Sequence, residues 1–178
     1  MGDTLEVARG LLGAHVCYVE KTGALVRVLL TEVEAYDGEA DLACHASKGK
    51  TERTRILFGP AGRWYLYLCY GVHWLANVVV GEEGYPAAVL LRGTGDVMGP
   101  GRLTRSIGMT GAINGAKIER ASGYWLERGV PVPESEVGYY PRVGVDYAGE
   151  KWAKAPYRMI WKTRWSGTLA EKRRLFGS

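Results

Sequence analysis

The chain has 178 residues, 23 lysines and arginines against 19 aspartates and glutamates, and a 47% apolar share. That length suits one domain with a sizeable core, and no apolar run approaches the roughly 20 residues of a membrane-spanning helix. Three cysteines, Cys17, Cys44 and Cys69, are too few and too scattered for a disulfide framework, and no basic-then-apolar leader is visible. The expectation is a cytoplasmic protein with reduced thiols, nucleoid-associated if bacterial.

Thr4 to Leu12 predicts a short helix, with Leu5, Ala8, Leu11 and Leu12 on one face and Asp3 placed to cap it. His15 to Glu20 and Leu25 to Tyr36 read as strands joined around Gly23, and a polar loop follows from Asp37 to Arg55. Next comes R-W-Y-L-Y-L-C-Y-G-V-H-W, Arg63 to Trp74, bounded by the Gly59-Pro60-Ala61-Gly62 turn. With Trp74 to Val80 returning, it predicts a β-hairpin whose tip lies near Tyr70-Gly71-Val72-His73. Ala87 to Arg92 is another strand. Gly99-Pro100-Gly101 opens a helix from Arg102 to Ile107, which Gly108 stops. Pro131 to Pro141 reads as loop, and Val143 to Tyr147 and Tyr157 to Trp161 as the last strands. Strands outnumber helices without βαβ alternation. The expected fold is α+β: a single domain over residues 1–178, with a curved, mainly antiparallel sheet, short flanking helices and a protruding hairpin.

Chemistry concentrates at the end of the second strand. In T-E-V-E-A-Y, a period of two puts Glu32, Glu34 and Tyr36 on one face. Two carboxylates so placed repel unless solvent, a base or a cation separates them, and such a pair can pin a water. A hydrated edge strand is the plainer alternative. His45, in A-C-H-A-S, suits a structural hydrogen bond as well as catalysis. Cys44, His45, Cys69 and His73 lack zinc-site spacing, no G-x-S-x-G elbow is present, and Gly99-Pro100-Gly101 lacks a P-loop's ending. The acidic stretch Glu32 to Asp41 is followed by Lys48, Lys50, Arg53 and Arg55. More basic residues stand at Arg102, Arg105, Lys117, Arg120 and in the tail from Lys162 to Arg174. An acidic pocket with basic flanks suits a hydrolase acting on nucleic acid. Tyr65, Tyr67 and Tyr70 suit stacking on bases, although strand aromatics commonly belong to the core.

These segments, in this order, resemble the alkyladenine (3-methyladenine) DNA glycosylase family. The likeness covers nearly the whole chain. It runs through A-R-G-L-L-G (Ala8 to Gly13), T-E-V-E-A-Y, A-C-H-A-S-K-G-K-T (Ala43 to Thr51) and F-G-P-A-G-R-W-Y-L-Y-L-C-Y-G-V-H-W (Phe58 to Trp74), reaching Asn77. It resumes at A-V-L-L-R (Ala88 to Arg92), G-P-G-R-L (Gly99 to Leu103) and P-R-V-G-V (Pro141 to Val145). The resemblance implies a monofunctional glycosylase of base excision repair, monomeric and without cofactor or metal. It would flip alkylated or deaminated purines from double-stranded DNA and hydrolyse the N-glycosidic bond. Carried across by position, Glu34 activates the attacking water, and Arg92 and the backbone at Val143 help hold it. Tyr36, His45 and Tyr67 wall the flipped base, with the His45 backbone reading its edge. Asn77 crowds the 2-amino group of normal guanine. Tyr70 fills the gap left in the duplex, and Val72, His73 and Arg53 contact DNA. Glu52 and Thr54 stand where the family pattern has Pro and Asn, and Val72-His73 is not its commonest pair. Two other readings stay open, a non-catalytic binder of damaged or single-stranded DNA and a nucleoside hydrolase. Glu34 and Arg92 disfavour the first; Tyr70 and the basic residues disfavour the second.

Overall fold

A computed structural model describes residues 3–165, 167–168, 173 and 175; in the basic tail, Lys172 and Arg174 lie outside the described residues. Helix α1 (Thr4–Leu11) forms where the apolar spacing predicts it. Asp3 accepts from the Leu5 amide at 3.2 Å, and Ala8 and Leu12 are buried. The strands are β1 (His15–Val19), β2 (Leu25–Asp37), β3 (Trp64–Cys69), β4 (His73–Val80), β5 (Ala87–Thr94), β6 (Tyr124–Glu127), β7 (Val137–Tyr140) and β8 (Arg158–Trp161). They form one curved sheet ordered β3-β4-β5-β2-β1-β6, with β8 between β2 and β7 and all pairs antiparallel. This is the α+β architecture expected from the strand excess.

Strand β2 organises the molecule. Its first half pairs with β1, and its second half pairs with β5 on one side and β8 on the other. A register shift between Leu30 and Val33 divides the halves, as a β-bulge does when a strand must bend and change partners. Beyond it, Val33 and Ala35 join Leu66, Val78, Val89 and Leu91 in the main core beneath α1 and Leu103 of helix α2 (Pro100–Ser106). The alternate residues of those same strands face the other way and build a cavity.

The predicted helix at Arg102 begins earlier, at Pro100, because proline's fixed φ suits the first helical turn. Gly101 lets α2 lie against the hairpin: a Cβ there would sit 2.8 Å from the His73 Cβ. Two expectations fail. Pro131 to Pro141 is not all loop, since Val137–Tyr140 pairs with β8 from Val137↔Trp161 to Tyr140↔Arg158. Flanking prolines obscure a strand whose partner lies some twenty residues on. Val143 to Tyr147 is not a strand. Gly144 takes φ 74°, breaking the extended run, and Asp146–Ala148 forms a 3-10 turn. Strand β6 and the short helix α3 (Glu150–Ala153) had no distinct sequence signal.

Candidate active site

Sheet register places the site. Glu34 pairs with Leu90, Leu90 with Asn77, and Asn77 with Tyr65, so one lateral row crosses β2, β5, β4 and β3. Two residues along each strand, Tyr36, Ala88, Arg92, Leu75 and Tyr67 share that face. All of them line a cavity of about 560 Å³, closed at its rim by Cys44, His45, Arg53, Tyr70, Val143 and Tyr147. Of the eleven candidate residues, nine line this cavity; Val72 and His73 lie outside it, on the adjoining hairpin.

Glu34 is wholly buried, 0% exposed, at the cavity wall. Its Oε1 accepts from the Val143 backbone amide at 2.8 Å and lies 3.3 Å from Arg92 Nη1. Its Oε2 accepts from the Tyr36 hydroxyl at 2.9 Å. A carboxylate offers about four acceptor positions, so room remains for a water. Burial, then the neighbouring Glu34, raise the Tyr36 phenol well above its ordinary pKa, which keeps it a donor.

Glu32, two residues away, is placed differently. Its Oε1 accepts from Arg92 Nε at 2.8 Å and Arg158 Nε at 2.7 Å, and its Oε2 from the Trp165 indole at 2.9 Å. Burial pushes its carboxyl upward, but the Arg92 and Arg158 guanidiniums with the Trp165 bond outweigh that and hold it below the usual range. Arg92 thus bridges the two carboxylates.

The walls are aromatic. His45 meets the Tyr67 ring edge-on at 4.4 Å, and its Nδ1 is 3.0 Å from the Tyr65 hydroxyl. Burial, aided by Arg53, lowers its pKa from 6.5 to about 4, so the ring is neutral near pH 7. The exposed Arg53 guanidinium lies 5.2 Å from the centre of the Tyr67 ring. Asn77 is buried, and its amide donates to the Tyr65 carbonyl at 3.1 Å. At the rim, Tyr70 is 94% exposed, and Val72 and His73 are exposed beside it.

Sequence reasoning missed what sets the Val143 amide in place. The adjacent Arg142 is buried, donates to both Asp41 oxygens (Nη2 to Oδ1 at 2.8 Å) and to the Ala35 carbonyl at 2.8 Å. Its guanidinium lies 4.7 Å from the Tyr36 ring centre and 5.1 Å from that of Tyr157. Both residues were visible, Asp41 as loop acid and Arg142 within P-R-V-G-V, but their pairing spans 101 positions. Tyr147, donating to the Ala43 carbonyl at 3.2 Å, was also missed.

The sequence pattern of the methylpurine-DNA glycosylase (MPG) family matches residues 1–98 and 95–164. A Myxococcus xanthus protein provisionally named a 3-methyladenine DNA glycosylase is 48% identical over 164 residues, covering 87% of this chain and 83% of its own. Proteins with the same provisional name from Methanocella arvoryzae and Legionella pneumophila (strain Corby) are 40% and 39% identical. The first covers 87% of this chain and 86% of its own, the second 90% of each. The chain belongs to the methylpurine-DNA glycosylase family and is a DNA-binding, glycosylase-type hydrolase of base excision repair.

Proposed function

We propose that the protein flips an alkylated or deaminated purine nucleotide, of the 3-methyladenine kind, out of duplex DNA into the aromatic cavity. Glu34 then acts as general base toward the water that attacks the sugar C1′. The observation that carries this reading is a wholly buried carboxylate on a base-sized cavity, oriented by Tyr36, Arg92 and the Val143 amide. A protein that only bound DNA would gain nothing from burying an acid there. Positive charge develops on the sugar as the glycosidic bond lengthens, and a fixed carboxylate stabilises it. Tyr36, His45 and Tyr67 serve as stacking walls, and stacking returns about 1–3 kcal/mol for the one flipped base against an unpairing cost of a few kcal/mol. Neutral rings suit a purine made cationic by alkylation. Asn77 excludes guanine by bulk, with its amide nitrogen tied to the Tyr65 carbonyl. Tyr70 enters the vacated space in the duplex, with Val72, His73 and Arg53 on the backbone. Glu32 is an unsuitable base, because it does not line the base cavity and is paired with two arginines, Arg92 and Arg158.

Glu34→Gln should slow single-turnover excision by about 10²-fold or more, scored as abasic sites in duplexes each holding one lesion. Affinity for those duplexes should change only a few-fold. An undiminished excision rate would remove Glu34 from the role.

A further inference from the structure

We propose that a second cavity, on the far side of Arg92 from the base cavity, is an anion subsite for a DNA phosphodiester flanking the flipped nucleotide, with Arg158 its principal donor. This cavity, of about 420 Å³, has Arg92, Arg102, Arg158, His73, Trp165 and one carboxylate, Glu32, among its lining residues, and it shares Arg92, Pro100 and Val143 with the base cavity. The Arg158 side chain is only 9% exposed. Its Nε donates to Glu32, and neither terminal nitrogen has a protein acceptor among the described residues. Arg92 likewise commits Nε to Glu32 and Nη1 to Glu34, leaving Nη2 without one among those residues. The acceptors are committed instead: both Glu32 oxygens are held by Arg92, Arg158 and Trp165. Three arginines against Glu32 and the Glu34 that Arg92 also engages leave the cavity rich in donors and positive, the arrangement that recognises phosphate. Position names the occupant. With a base in the first cavity, its sugar lies beside Glu34 and Arg92, and the phosphates on that sugar are the nearest anions.

The assignment rests on the base-flipping reading, so its test uses binding and not excision. Affinity is measured for a duplex carrying one tetrahydrofuran abasic analogue, with each flanking phosphodiester in turn replaced by an uncharged methylphosphonate. One replacement should weaken the wild type about tenfold, the scale of a charged hydrogen bond. The same replacement should leave Arg158→Met unaffected. An equal loss in Arg158→Met, or no loss at either linkage in the wild type, overturns the proposal. Should that variant not fold, Arg102→Ala at an exposed position takes its place: the linkage effect must shrink, and an unchanged effect overturns the proposal. Inorganic phosphate distinguishes a free anion from a DNA phosphate, since thermal protection of the intact chain at micromolar phosphate would overturn the DNA assignment. A linkage effect in a wild type that excises nothing would count against the chemistry at Glu34 and leave the subsite standing.

Discussion

Glu32 and Glu34 sit two positions apart on one face of β2, yet their surroundings differ. The first is paired with two arginines, accepts from an indole and lies outside the base cavity; the second faces that cavity. Asn77 tests selectivity at the same scale. Asn77→Ala should raise removal of normal guanine relative to damaged purines. It also frees the Tyr65 carbonyl, so a stability loss of about 1–3 kcal/mol accompanies it. A folded variant with an unchanged guanine-to-lesion ratio would leave Asn77 only its hairpin bond. His45 carries a pH dependence. Its pKa is 6.5 unfolded and about 4 folded, so between those values the unfolded chain binds the extra proton. Stability therefore falls as pH drops from 6.5 toward 4. His45→Gln should lose less stability than the wild type between pH 7 and pH 5, measured by denaturant midpoints.

At the scale of elements, the hairpin shows how local rules deliver an exposed tip. The Val72 amide donates to the Cys69 carbonyl at 3.1 Å, and Tyr70 and Gly71 take φ 51° and 71°, the signs of a type I′ turn. Gly71 adopts this freely; for Tyr70 it costs about 1 kcal/mol. Tyr70→Ala should leave the melting temperature nearly unchanged while weakening lesion-duplex binding, whereas a buried aromatic would cost about 3–5 kcal/mol. Tyr70→Gly should melt slightly higher and bind no better than Tyr70→Ala. The hairpin was legible because its alternation, turn glycine and returning strand lie within about twenty residues. Strand β7 was not, because its pairing with β8 is invisible to local pattern. The segment from Val143 misled because Val-Gly-Val has strand composition, while Gly144 turns the chain and the Val143 amide serves Glu34.

Across the whole molecule, a formal charge of +4 accompanies a cavity that Tyr36, His45, Tyr65 and Tyr67 help to wall. Duplex affinity should therefore fall linearly in log salt, by roughly 0.9 per phosphate contact, while the preference for damaged over undamaged duplex stays nearly constant. A preference that collapses with salt would mean that discrimination is electrostatic. The strand-rich class and the shared face of Glu32, Glu34 and Tyr36 on β2 could be read from local pattern, but the tie between Glu34 and Val143 joins positions 109 residues apart and needs the folded chain. That separation has a consequence for synthesis. Glu34, Tyr36 and the aromatic walls leave the ribosome early, the Val143 amide much later, and Arg158 and Trp165 later still. A nascent chain halted before residue 143 carries the carboxylate without the group that aims it. With Glu34 as the proposed base, chains truncated before Val143 should excise nothing.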